Sequence, residues 1–173
     1  LVEKFSVTKE TIGVLMPNVS NTVCLIFGMS AMNRIPAMLN YTSGAAGMQN
    51  ACVAANIKTI ITSRQFIEVA KLSNTVSDLS DINIVYLEDI KARFSLLDKL
   101  WLFGFASKYP LLAAKPSNSD DPAVILFTSG SEGRPKGVVH SHRSVLANIA
   151  QIRSVIDFSP ADKFMMALPL FHA

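Results

Sequence analysis

Residues 128–137 read T-S-G-S-E-G-R-P-K-G and concentrate the groups of this chain that can hold an anion. Gly130, Gly133 and Gly137 lie among the hydroxyls of Thr128, Ser129 and Ser131, the carboxylate of Glu132, and the cations Arg134 and Lys136. An apolar run, A-V-I-L-F over 123–127, leads directly into them and reads as a buried strand behind Pro122. A loop of glycine and hydroxyl residues leaving a strand can turn backbone N–H groups toward an anion, because glycine adopts the required angles without steric cost. Lys136 and Arg134 can then neutralise phosphate oxygens. A nucleoside triphosphate is the natural occupant.

The loop is not the common phosphate loop. G-x-x-x-x-G-K-[ST] needs glycine where Pro135 stands and a hydroxyl residue where Gly137 stands, with a helix opening on the lysine. Val138 and Val139 instead predict a second short strand. The dinucleotide fingerprint G-x-G-x-x-G is absent as well.

Taken with its neighbours, the loop resembles the ATP-binding loop of the adenylate-forming superfamily, which includes acyl-CoA synthetases, luciferases and peptide-synthetase adenylation domains. G-V-L-M-P-N over 13–18 is similar to that family's opening motif. R-I-P-A-M-L-N over 34–40 resembles the strand that follows it. His142 stands where the family has a histidine after the second strand, and L-P-L-F-H over 168–172 matches its next motif. Within the family, the wording of 35–44, 57–66, 85–92 and 125–142 is similar to synthetase halves of bacterial enzymes that also carry a lysophospholipid acyltransferase.

The resemblance implies an α/β fold, a doubly wound and mostly parallel sheet with helices on both faces. It makes residues 1–173 part of an AMP-binding domain, its N-terminal subdomain, with residues 115–121 as a linker. It implies ATP and Mg²⁺, with Thr128, Ser129, Gly130, Ser131, Glu132, Gly133 and Lys136 around the phosphates. It also implies His172 as the catalytic residue on the acyl side, touching the adenylate or gating the pocket, the alternative being a packing histidine in its turn. Glu132 has no role beyond membership of the loop. The implied chemistry activates a long-chain fatty acid as an acyl-adenylate, then passes it to a thiol of acyl-carrier protein or CoA. The closer similarity favours the carrier protein, phospholipid acyl recycling with lysophospholipid as final acceptor, and a parent protein on the cytoplasmic side of a bacterial inner membrane. The parts of the site that the family carries further along the chain are expected beyond Ala173, so the chain reads as a fragment without adenylating activity of its own.

Composition sets limits on these readings. The chain has 173 residues, half of them hydrophobic and 17% charged, which suits one packed domain and excludes a disordered tail or coiled coil. A net charge of +3 without a basic cluster gives no support for nucleic acid binding. Cys24 and Cys52 lie in apolar helical contexts and are expected to be buried free thiols, and with three histidines they offer no metal spacing. His140 and His142 flank a strand with nothing to complete a metal shell, and His142 is read as capping the next helix. Met29, Met32, Met38 and Met48 are read as core filler, with the lining of an acyl-chain tunnel as the alternative.

Apolar periodicity and breakers predict strands at 12–16, 35–39, 59–62, 84–87, 123–127 and 163–167. Helices are predicted over 20–33 (capped by Asn18 or Ser20), 45–55 (capped by Thr42 or Ser43), 63–72, 90–107 and 142–158, with a polar loop over 73–81. Strands alternating with helices at this spacing argue independently for a parallel sheet, whose ligands sit at the carboxyl ends of strands. Residues 96–114 hold the densest apolar and aromatic residues, interrupted by Asp98, Lys99, Lys108 and Pro110. Two readings stand: a core helix with an amphipathic face, or a helix at a membrane surface. For the whole chain, an unrelated P-loop NTPase and a non-catalytic α/β binding module remain the alternatives to an acyl-activating ligase.

Overall fold

The computed structural model describes residues 6–128 and 135–172. The strands β1 (Thr11–Val14), β2 (Ile35–Met38), β3 (Thr59–Thr62), β4 (Asn83–Tyr86), β5 (Pro122–Thr128) and β6 (Lys136–Ser141) form one sheet in the order β4-β3-β1-β2-β5-β6. All neighbours pair parallel except β5 and β6, which form an antiparallel hairpin. The expected class is therefore the observed one.

Residue parity sorts the core into two layers. Ile12, Val14, Met38 and Ile61 point to one face with Met29 of α1 (Ser20–Ala31). Ile35, Ala37 and Ile60 point to the other, with Met48, Ala51 and Cys52 of α2 (Gly44–Ala54) and Ile67 of α3 (Arg64–Val69). β1, β2 and β3 are apolar on both sides, as strands covered by helices on both faces must be. Gly13 is the close-packing point of β1. A Cβ there would stand 2.8 Å from Ile60 Cγ1 and 2.9 Å from Leu39 Cδ1, both fully buried side chains.

The first three helices end alike and without glycine. Asn33, Asn56 and Lys71 each take positive φ just past a helix. The following amide then reaches back five residues, from Arg34 to Met29 O, Ile57 to Cys52 O and Leu72 to Ile67 O. These are Schellman endings, which satisfy the last carbonyls and turn the chain sharply into the next segment. The cap of α1 is Val19, without a side-chain bond, rather than Asn18 or Ser20. At α2 the Ser43 hydroxyl donates to Asn40 O instead of capping, while Asn40 caps the short 3₁₀ turn Tyr41–Ser43.

Other expectations are corrected. The polar stretch 73–81 contains a helix, α4 (Ser73–Ser77), because Val76 and Leu79 reach the core. The single helix over 90–107 is instead α5 (Leu87–Ala92) and α6 (Leu96–Trp101), the latter running into a π-helical turn at Leu102–Ala106, followed by α7 (Pro110–Ala113). The break falls where Ser95 and Asp98 form a reciprocal capping box that starts α6 afresh. None of residues 91–115 joins either core cluster, so the core-helix reading of 96–114 fails. Residues 163–167 have no strand partner and no regular secondary structure, and the Ala167 amide turns back to Met165 O. Cys52 is buried, and burial pushes its thiol pKa up to about 11, but Cys24 is exposed. Met29, Met38 and Met48 do fill the core, while Met32 sits at its margin. Finally α8 (His142–Val155) is capped by Ser141, whose hydroxyl accepts the Ser144 amide, not by His142.

Two stability changes follow. Gly13→Ala is expected to destabilise the chain by about 1–3 kcal/mol through overpacking. Lys71→Gly is expected to stabilise it by about 1 kcal/mol, since glycine removes the steric cost of positive φ. Urea unfolding of both variants beside the parent chain measures the two shifts in opposite directions.

Candidate functional site

The sheet changes direction at β1. The chain moves from β1 to β2 on one side, then crosses back over β1 to β3 on the other. Because such crossovers are right-handed, α1 and α2 take opposite faces and leave a crevice at the carboxyl ends of β1 and β2. Three segments far apart in sequence meet along this edge of the sheet.

The first is Asn18, just past β1. Its Nδ2 donates to Leu168 O at 2.6 Å, and its Oδ1 accepts the Leu170 amide at 2.9 Å. One side chain thus supplies both halves of a strand-like pairing to a segment 150 residues away, since a carboxamide carries an N–H donor and a C=O acceptor side by side. Thr22 donates its hydroxyl to Pro17 O at 2.6 Å and fixes the turn that presents Asn18. The second is Tyr41, just past β2, whose ring meets Phe171 edge-on at 4.9 Å and Phe66 of α3 at 5.3 Å. Leu170 and Phe171 also join the core layer of Ile12, Val14 and Met29. The third is the end of β5, where Thr128 faces Lys136 across the hairpin.

The anchored segment carries His172, whose amide donates to Pro169 O in a turn. His172, His140, Thr128, Val124, Leu126 and Ile149 border a cavity of about 670 Å³ between the sheet and α8. On the opposite face, Asn40, Ser43, Phe127, Thr128 and Pro135 border a recess of about 190 Å³. Thr128 borders both, at the rim where the two faces meet. Of the residues singled out from sequence, Thr128 and His172 border the same cavity, and Lys136 is exposed beside it as the hairpin partner of Thr128. Ser129, Gly130, Ser131, Glu132 and Gly133 lie outside the described residues.

The polar side chains named at these rims are hydroxyls, a carboxamide, imidazoles and one ammonium. Such a set suits an anion at the Thr128–Lys136 end and an apolar group between Val124, Leu126 and Ile149. Among the described residues no three His, Cys, Asp or Glu side chains are grouped to hold a metal ion. The carboxylates nearest the strand ends are engaged elsewhere. Arg64 donates two 2.7 Å bonds to Asp89 and stacks over Tyr86, and this pairing holds the Asp89 carboxyl below its ordinary range. Burial would raise the pKa of Glu88, but bonds from its own backbone, the Ser63 hydroxyl and the Arg64 and Gln65 amides hold it low. These contacts tie the starts of α3 and α5 together and stiffen the far end of the same edge.

Asn18 and Tyr41 were visible in the sequence only as parts of motifs. Their partners in the segment 168–171 are over a hundred residues away, so no local pattern discloses their roles.

The AMP-binding enzyme family profile matches residues 4–173. The long-chain-fatty-acid–CoA ligase FadD13 of Mycobacterium tuberculosis is 27% identical over 94% of this chain, which covers 31% of that enzyme. A chloroplastic long-chain-fatty-acid–[acyl-carrier-protein] ligase of Arabidopsis thaliana is 43% identical over 56 residues, 32% of this chain and 8% of that one. Among solved structures, fatty acyl-adenylate ligases from E. coli and L. pneumophila superpose with a TM-score of 0.72 at 18% identity, over 99% of this chain and 29% of the other. The N-terminal domain of M. tuberculosis FACL13 gives 0.70 at 22% identity, over 99% and 41%. The chain thus spans about a third or less of the curated relatives named.

Asn18→Ala should free the segment 166–172 at a cost of about 1 kcal/mol for each lost bond. Hydrogen exchange at the Leu170 amide is the direct measure. It is expected to be protected in the parent chain, exposed in Asn18→Ala, and partly protected in Asn18→Asp, which keeps the acceptor but loses the donor.

Proposed function

Since this chain belongs to the AMP-binding enzyme family, we propose that it forms the triphosphate side, and one wall of the acyl side, of an ATP-dependent ligase that activates long-chain fatty acids. The single observation that supports this best is the Asn18 carboxamide. It gathers the motif after β1 and the motif carrying His172 beside the Thr128–Lys136 end of the β5–β6 hairpin.

In this reading ATP lies across the carboxyl ends of β2 and β5. The Thr128 hydroxyl and the Lys136 ammonium, with Ser129, Gly130, Ser131, Glu132 and Gly133 as the rest of the loop, take the β- and γ-phosphates. Mg²⁺ would supply charge neutralisation among phosphate oxygens, with no carboxylate set in the described residues to hold it alone. The fatty acid enters between the sheet and α8, its chain against Val124, Leu126 and Ile149 and its carboxylate toward His172. That carboxylate oxygen attacks the α-phosphorus, pyrophosphate departs, and a thiol then displaces AMP from the acyl carbon. The residues here act by placing and neutralising charge, the dominant contribution when two anions must be brought in line.

The thiol acceptor we favour is acyl-carrier protein, in a polypeptide that also carries a lysophospholipid acyltransferase and works at the cytoplasmic face of a bacterial inner membrane. Its support is the wording of residues 125–142, together with the local 43% identity to a carrier-protein ligase. The second reading is a CoA ligase, favoured by the FadD13 match along nearly the whole chain.

In the polypeptide that carries this chain, Lys136→Ala is expected to raise the ATP requirement of fatty-acid-dependent pyrophosphate exchange roughly ten- to hundredfold, the cost of one charged hydrogen bond. Unchanged exchange would remove Lys136 from the site. Faster thioester formation on CoA than on carrier protein would select the second reading. The 173-residue chain alone is expected to release no pyrophosphate above a control without protein.

A further inference from the structure

Residues 96–112 carry apolar surface that this fold leaves uncovered. Leu97 is 76% exposed, Phe103 75%, Leu111 90% and Leu112 74%. Trp101, Phe105 and Tyr109 stack along the same segment with ring centroids 6.2 and 5.8 Å apart, and each is exposed. Single exposed apolar residues need no explanation, but a contiguous set of this size marks a contact surface.

The charges around it identify the partner. Within residues 96–112 Lys99 and Lys108 stand against the single acid Asp98, whose carboxylate accepts the Ser95 amide and hydroxyl. Lys91, Arg93 and Lys115 flank the segment, Arg93 close to Asp89 and Lys115 bonded to Thr8. Lys108 Nζ lies 5.8 Å from the Tyr109 ring centre, on the flank of the aromatic row. A second copy of the same face would meet this excess of positive charge with its own. An anionic lipid surface complements it, at about 1 kcal/mol per basic side chain near the headgroups. Tryptophan and tyrosine beside lysine also suit the headgroup boundary, where an apolar ring and a polar edge are both accommodated.

The geometry limits the mode of contact. No helix among the described residues is long and apolar enough to cross a bilayer. Helix α6 and its π-helical turn end before Lys108, and Pro110 starts a separate short turn that presents Leu111 and Leu112. The segment can lie in the interface but cannot span it.

We propose that residues 96–112 form an interfacial docking face for anionic phospholipid bilayers, with the exposed leucines and aromatic rings in the headgroup–acyl boundary and Lys99 and Lys108 on lipid phosphates. This deepens the membrane location proposed above by naming the surface that makes the contact, and it does not depend on the ligase chemistry.

Trp101 is the only tryptophan of the chain and so reports on this face directly. The chain is titrated with phosphatidylcholine vesicles and with vesicles containing one-quarter phosphatidylglycerol, following Trp101 emission and its quenching by iodide. The expected result is a blue shift and loss of quenching with the anionic vesicles, weaker with the neutral ones. The exposed double variant Lys99→Ala/Lys108→Ala should bind the anionic vesicles roughly thirtyfold more weakly. Emission unchanged by either vesicle overturns the proposal. So does equal binding to both, or a Trp101 already blue-shifted and shielded from iodide before lipid is added, because the face would then be covered by protein.

Discussion

Right-handed crossovers on either side of β1 are the constraint on which the rest of this architecture depends. They send α1 and α2 to opposite faces, so both faces of β1, β2 and β3 are covered, and the polar group buried there, the Thr62 hydroxyl, is spent on Leu15 O. They also leave the carboxyl ends of β1 and β2 without a helix crossing directly above them. The chain uses that opening twice, placing Asn18 after β1 and the Asn40–Tyr41 turn after β2. The late motif at 168–172 then has a polar partner and an aromatic partner waiting at one place. Fold and site are thus two consequences of one handedness rule.

The site depends on precise use of few groups. Asn18 satisfies two main-chain groups of an irregular segment that has no ladder of its own. Phe171 fixes its rotation by packing on Tyr41 and joining the layer under α1. Polar pairing sets the register of the segment, while apolar packing sets its depth. His172 is left exposed at the cavity rim because the two residues before it, Leu170 and Phe171, take the half-buried positions against the core.

Much of this was legible in the sequence where local preference and burial agree. The β-branched run T-I-I-T gave β3 at its observed bounds, and the run over 123–127 gave β5 within one residue at each end. The loop behind β5 carried the family resemblance, and the family profile match agrees with it. Reading failed where tertiary contact decided the outcome. Val76 and Leu79 turn a polar stretch into part of the core, and residues 163–167 look like a strand but find no neighbouring edge. The break between α5 and α6 was available in principle, since S-L-L-D is a capping-box pattern. The clamp by Asn18 was not, because a carboxamide in a P-N turn gives no hint of a partner so distant.

The seam between β2 and β5 has a kinetic consequence. β4, β3, β1 and β2 come from the first half of the chain and pair along several registered positions, whereas β5 joins β2 at the Ala37–Ile125 pair. Closing that seam requires strands separated by about half of the chain to meet, and loop closure of this kind is slow. The edge of β2 is therefore the last strand edge to be covered during folding. Until β5 arrives it presents unpaired N–H and C=O groups to any other extended chain, which makes it the point of greatest exposure to misassembly as the polypeptide is being made.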